Sequence, residues 1–126
     1  VQSGGRPYAQ HYQTKAVKDE ERSIKMIIRE QLPEGFTCHT GPVSLGNVIF
    51  SFPPIKSLRR SEEIVIEQGG SIPKMTKPDL TDNLMKGLCD AMQGIVYAND
   101  SQIYQVLMTQ KVYSKRPGIS LEIILH

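Results

Sequence analysis

The sequence lacks most of the features that would commit a chain to a special environment or a ready-made chemistry. Cysteine occurs twice, at Cys38 and Cys89, far apart and without CxxC spacing. Two such residues exclude a disulfide framework and a cysteine-based zinc site. They read as free thiols in a reducing compartment, which points to the cytoplasm. No apolar run approaches the roughly 20 residues needed to span a bilayer, and no secretory signal is visible, so no membrane association is expected. Charge of one sign is also missing: 15 Lys and Arg stand against 13 Asp and Glu, a net charge of +2. GxSxG, Walker and GxGxxG sequences are absent, which removes the commonest hydrolase, P-loop and dinucleotide-binding readings. His11, His39 and His126 share no ligand spacing, and each is expected at the surface rather than in catalysis. There is no internal repeat and no low-complexity tract.

What is present fits one folded domain of ordinary size. The chain has 126 residues, 39% of them apolar, enough for a modest core. Residues 1–13, rich in Gly, Gln and Ser, read as a loop. From about Thr14, a plausible N-cap, to Leu32 the pattern is helical: Val17, Ile24, Ile27, Ile28 and Leu32 share one side, and Pro33 with Gly35 ends the run. Val43 to Phe52 reads as a strand closed by Pro53-Pro54. Residues 57–68 suggest a short helix, within a surface insertion over 55–75. Residues 71–78 should be extended because of their prolines. A second main helix is expected from about Asp82 to Gln93, buried through Leu84, Leu88, Ala91 and Met92, with Gly94 as its terminating glycine. A short strand at 95–97 follows, then a long strand over about 102–113, a turn at 115–118 and a last strand over 119–125. The fold class is α/β in the α+β sense: a small mixed sheet packed with two main helices, in a single domain over 1–126.

Charge is distributed more tellingly than its sum suggests. Basic residues gather at Lys56, Arg59 and Arg60, at Lys74 and Lys77, and at Lys111, Lys115 and Arg116, while aspartates gather between Asp79 and Asp100. A near-neutral chain of this kind can carry a basic surface around an acidic pocket; a solvated mixed-charge surface is the plainer alternative. In the stretch from Lys77 to Lys86, Asp79 and Asp82 sit where an extended segment enters a helix. Lys86 follows Asp82 by four residues and Asp90 follows Lys86 by four, which places them on one helical face. Asp100 arrives from a turn just before a strand. Crowded carboxylates repel unless cations compensate, and a hard divalent ion such as Mg²⁺ takes oxygen ligands and substrate phosphate. Such an ion polarises a phosphodiester for hydrolysis, and Lys86 is placed to stabilise the charge that develops on the phosphate. Each residue also has an ordinary role open to it. Asp79 or Asp82 suits a helix N-terminus, Asp100 a turn, Lys86 a solvated partner of Asp82 or Asp90, and Asp90 the helix surface.

The segment KPDLTDNLMKGLCDAMQGIVYANDSQI resembles the signature of the RusA family of Holliday junction resolvases, many of them carried by phages and prophages. In that family an Asp-x-Asp-Asn motif opens a helix, a Lys follows four residues after the second Asp, and an Asp-Ser-Gln or Asp-Ala-Gln turn supplies a third carboxylate. Asp82-Asn83, Lys86 and Asp100-Ser101-Gln102 match those parts. Gly5-Arg6-Pro7 resembles the family's early loop, FPPIKSLRR at 52–60 its Phe-Pro-x-Pro-Lys-Ser segment, and KVYSKRPGISLEI at 111–123 its closing hairpin. A family strand is expected before Val1. The spacing departs from the family in one place, since Leu80 and Thr81 stand where the motif has one residue. Aligned on Lys77-Pro78, Asp79 is the first carboxylate; aligned on Asp82-Asn83, Leu80 takes that position. A small bulge is expected to absorb the extra residue and keep Asp79 directed at the site.

The resemblance implies a homodimer that binds four-way DNA junctions and makes paired Mg²⁺-dependent cuts, with Mn²⁺ as a substitute ion. Asp79, Asp82 and Asp100 would be the metal ligands and Lys86 a catalytic partner. Arg6, Lys56, Arg59, Arg60, Lys74, Lys77, Lys111, Lys115 and Arg116 would grip DNA phosphates. Two rivals stand beside this reading: a nuclease for other branched DNA, such as flaps or forks, and a junction-binding protein without catalysis.

Overall fold

Three strands carry most of the sheet, and their sequences show why. In β5 (Gly118–Leu125) burial alternates, with Ile119, Leu121, Ile123 and Leu125 buried and the residues between them half-buried. This is the period of a strand with one face on a core. β2 (Val43–Phe52) is buried almost throughout, as a central strand should be. The computed structural model describes the backbone of residues 6–12 and 21–126, and side chains from residue 22 onward. Within it the element order is β1 (Arg6–Tyr12), α1 (Glu21–Gln31), β2, α2 (Arg60–Glu67), β3 (Ile72–Pro73), a π-helical segment (Leu80–Met85), α3 (Lys86–Met92), a 3-10 turn (Asp100–Gln102), β4 (Ile103–Tyr113) and β5. The architecture is a mixed α+β fold around one sheet, as the sequence pattern implies.

The strand order is β1-β5-β2-β4-β3. β5 pairs antiparallel with both β1 and β2, β2 runs parallel to β4, and β3 joins β4 antiparallel through Ile72 and Pro73. Ile24 and Ile28 of α1, with Leu84, Leu88, Ala91 and Met92, pack on Val43, Leu45, Val48 and Phe50 of β2 and on the inner residues of β5. Truncating a fully buried leucine such as Leu88 should cost about 2–5 kcal/mol. α2 buries only Ile66; its start is held by the Arg59 amide, which donates to Glu62 Oε1 at 2.9 Å.

The structure corrects the sequence reading at several places. Residues 6–12 are a strand, not a loop: β1 pairs with β5 from Arg6↔Leu125 to Tyr12↔Ile119. The expected helical residues from Thr14 to Glu20, with the Thr14 cap and Val17, lie outside the described residues. β4 and β5 do not form a hairpin, because β2 lies between them and both pair with it. The link at 114–117 passes the end of β2, where the Ser114 amide donates to the Phe52 carbonyl at 3.0 Å. The expected strand at 95–97 is a turn; Tyr97 makes only isolated bridges to His39 and Gln93, although Val96 and Tyr97 are fully buried. Gly94 follows α3 at φ 86°, the left-handed position that favours glycine at a helix end.

Candidate functional site

The polar centre of interest is built around the entry to α3. Residues 74–79 approach it through a bend at 76–78 that one side chain holds down. Lys111 Nζ donates to the Thr76 carbonyl at 2.6 Å and the Pro78 carbonyl at 2.8 Å. Asp79 keeps an extended backbone at φ −69°, ψ 142°, and its carboxylate caps nothing. The next six residues, Leu80–Met85, wind as a π-helix, closed by the Leu84 amide donating to the Asp79 carbonyl at 3.0 Å. A π-turn is an α-turn widened by one residue and recurs at functional sites. The extra residue between Asp79 and Asp82 is housed here, while Leu84 and Leu88 stay in the core.

Asp82 lies in the first turn of this segment. Lys86 Nζ approaches Asp90 Oδ2 at 3.9 Å in an exposed pair, so of the two carboxylates four residues away it leans to Asp90. Asp100 sits at the other end of α3. Its amide donates to Gln93 Oε1 at 2.8 Å. Burial pushes the Cys89 thiol up, with Asp100 and Asp90 adding to that rise and a Tyr97 hydrogen bond offsetting part of it. Burial is likewise the first cause of the raised Tyr97 hydroxyl, again with Asp100 and Asp90 contributing. Both carboxylates therefore flank the C-terminal end of α3. Asp79 and Asp82 thus precede α3, Asp90 lies within it and Asp100 follows it. Among the described residues no group of three or more His, Cys, Asp or Glu is placed as a ready metal cage. The donors are nevertheless all carboxylate oxygens, the hard ligands Mg²⁺ and Mn²⁺ take. Asp79, Asp82 and Asp100 have no salt bridge to a described cation. Mg²⁺ commonly uses one or two protein carboxylates with water and phosphate, so the donor set suits it without a cage.

The Asp100 turn is fixed by residues that sequence reasoning passed over. Gln102 Nε2 donates to the carbonyls of His39 and Gly41, both at 2.9 Å, and its Oε1 accepts from the Asn99 amide at 2.8 Å. Asn99 Oδ1 accepts from the Ser101 amide at 2.9 Å. The Asp-Ser-Gln sequence held the signal for Gln102; for Gln93 there was none. His39 and His126, which share no ligand spacing, lie together: His39 Nε2 is 2.8 Å from the His126 carbonyl oxygen, and His126 Nε2 is 2.9 Å from Ser44 Oγ.

Beside Asp79 and Asp82 opens a groove of about 600 Å³ lined by Phe52, Lys74, Lys77, Pro78 and Asn83. Lys74 Nζ lies 5.0 Å from the Phe52 ring centre and 4.9 Å from that of Tyr113, and donates to Thr76 Oγ1 at 2.7 Å. Of the other basic residues, Arg60 is paired with Glu63 and Glu67, both at 3.3 Å, Arg59 lies 4.0 Å from Glu62, and Lys115 donates to the Glu67 carbonyl at 3.2 Å. Lys56, Lys77 and Arg116 are exposed. The Arg6 side chain lies outside the described residues.

Two comparisons with known proteins match this chain. A family model described as "Endodeoxyribonuclease RusA" matches residues 1–124. The uncharacterized protein YqaN of Bacillus subtilis (strain 168) is 33% identical over 101 residues, covering 79% of this chain and 68% of that protein. No helix among the described residues is long and apolar enough to cross a membrane.

Proposed function

Because the chain belongs to the RusA family of endodeoxyribonucleases, matched over residues 1–124, we propose that it resolves Holliday junctions by Mg²⁺-dependent paired phosphodiester hydrolysis in DNA recombination and repair. It would act in the cytoplasm as a homodimer, a symmetry that suits a substrate with two equivalent strands. The observation that carries the reading is the pair of carboxylates, Asp79 and Asp82, at the π-turn beside a lysine-lined groove, neither with a salt bridge to a described cation.

In this reading Asp79, Asp82 and Asp100 hold the cation, with Mn²⁺ able to replace Mg²⁺. The bound ion supplies charge neutralisation at the phosphate and a more acidic water. The chain's own residues do the rest. Lys77 and Lys74 draw the DNA backbone into the groove, with Lys56, Arg59, Arg60, Lys115, Arg116 and Arg6 as outer phosphate contacts. Lys111 holds the 76–78 segment, and with it Asp79, against the sheet. Lys86, tethered only loosely to Asp90, moves to the scissile phosphate and stabilises its growing charge. Gln93 and Gln102 keep Asp100 in place.

Labelled four-way junctions, flaps, forks and duplexes incubated with and without Mg²⁺ test the proposal. Symmetric nicks confined to the junction, dependent on the ion, are the expected result. Preferential cutting of flaps or forks would transfer the same chemistry to other branched DNA. The lack of a preformed three-ligand cage among the described residues favours one further reading, a non-catalytic junction-binding protein, which predicts tight binding and no cutting in Mg²⁺ or Mn²⁺.

A further inference from the structure

A second concavity, of about 570 Å³, opens at the Asp100 turn, between the loop at 40–42, Ser101, Gln102, Tyr104 and His126. The metal-site reading makes no use of it, yet its size is that of a small-ligand pocket and its walls are held from behind. Gln102 Nε2 bonds the His39 and Gly41 carbonyls at 2.9 Å, and His39 Nε2 donates to the His126 carbonyl at 2.8 Å. A Cβ at Gly41 would lie 2.9 Å from the His126 carbonyl oxygen and 3.1 Å from His39 Nε2, so the loop closes this tightly only around glycine. The hydroxyl of the fully buried Ser44 donates to Gln105 Oε1 at 3.2 Å and so accepts from His126 Nε2 at 2.9 Å. A hydroxyl sunk in the sheet thus fixes an imidazole at the pocket wall. The Tyr104 ring meets that imidazole edge-on, with 5.7 Å between centres and 64° between planes, yet Tyr104 stays 62% exposed. The two rings form a corner, not a closed stack, which leaves ring surface for a third flat group.

We propose that this pocket takes one unpaired nucleobase of the DNA strand whose phosphate lies at Asp100, with Tyr104 as its stacking surface. None of the described lining residues is Lys, Arg, Asp or Glu, so the pocket offers a phosphate no counter-charge and does not repel a polyanion. An aromatic corner with the hydroxyl-bearing Thr40 and Ser101 in its lining suits a flat, neutral ring with polar edges, and every base has such a face. Position selects the same occupant. Ser101 follows Asp100 in one 3-10 turn, about 3.8 Å away between Cα atoms. A strand that sets a phosphate at Asp100 therefore brings an attached base to the neighbouring concavity. A branched junction supplies bases whose stacking is interrupted at the branch point, and these cost least to draw out. Capture of one base holds the strand in register while its phosphate meets the carboxylates. The inference rests on the nuclease reading above and adds a base site to it.

The test uses the full chain and four-way junctions that carry one abasic site, moved position by position across the branch point. Affinity is read by gel shift without divalent ion, and cutting separately in Mg²⁺. For wild type, an abasic site at one position in each cut strand is expected to weaken binding about tenfold, the usual worth of one stacked base. Tyr104→Ala should bind the intact junction about tenfold more weakly and lose its response to that position, to within about twofold. Tyr104→Phe should behave as wild type. Thr40→Trp, which fills the pocket from the side of the 40–42 loop, should act like Tyr104→Ala and decides the matter if that variant misfolds. A flat scan in wild type, or a sensitive position that persists in Tyr104→Ala and Thr40→Trp, overturns the site. A flat scan together with a changed oligomeric state in Tyr104→Ala also overturns it, and assigns the pocket to an interface between copies. A junction bound with the expected abasic pattern but never cut would sink the catalytic reading and leave the base site standing, whereas no junction binding at all overturns both.

Discussion

The Leu84 amide reaches back five residues, not four, to the Asp79 carbonyl, at 3.0 Å. That single bond accounts for the widened spacing between Asp79 and Asp82. In an α-turn one of the two aspartates, or the buried Leu84, would be displaced by about a quarter-turn. The π-turn lets the buried helix keep its register and gives the extra residue to the exposed side. If this delivers Asp79 to the metal, Asp79→Asn should reduce junction cutting as deeply as Asp82→Asn, by at least about a hundredfold. Cutting by Asp79→Asn at the wild-type rate would mean that Leu80 occupies the first motif position and Asp79 takes no part.

Asp100→Asn is expected to abolish cutting and leave junction affinity within about twofold, because the change removes one charge and preserves shape. Single-turnover rates alongside gel-shift affinities measure both. Survival of cutting at the original rate would remove Asp100 from the site.

Lys86→Ala should leave the melting temperature almost unchanged, since an exposed pair such as Lys86–Asp90 is worth about 0.5 kcal/mol or less. Cutting should slow by about a hundredfold, the usual cost of losing one group that stabilises transition-state charge. A normal rate in this variant would leave Lys86 as a surface partner of Asp90 and nothing more.

Lys77 and Lys111 make opposite predictions although both lie among the basic residues. Lys77→Ala should lower the slope of log affinity against log salt by about one, the signature of one lost phosphate contact. Lys111→Ala should leave that slope unchanged and destabilise the fold by about 1–3 kcal/mol, because two backbone carbonyls lose a charged donor. A reversed pattern in salt titrations and thermal melts would exchange their roles.

The sequence made β2, β5 and the course of α3 legible because their burial is periodic: Val48, Phe50, Ile119, Leu121 and Ile123 announce their faces. The π-turn was legible only as a bulge, from two residues standing where the motif has one. β1 was not legible. Its residues, RPYAQHY, carry little strand signal, and β5 supplies the edge that organises them, a case of tertiary context outweighing propensity. The short link between β4 and β5 suggested a hairpin, as such links usually do, and nothing in 111–123 could reveal that β2 lies between them. Basic residues were visible as clusters, but not that Lys111 is spent on two carbonyls or that the exposed Arg60 also pairs with Glu63 and Glu67. The aspartates were found by motif; that Asp79 and Asp82 precede α3 while Asp100 follows it is set by the fold.

The insertion of β2 between the last two strands bears on how the chain reaches this state. β4 and β5 are made one after the other, yet both take as a neighbour β2, a segment 60 to 82 residues earlier in the chain that is laid between them. Closing such long loops before any pairing is gained raises the barrier. Nucleation is therefore expected around the early β2 stretch, with the carboxyl-terminal third waiting on its arrival.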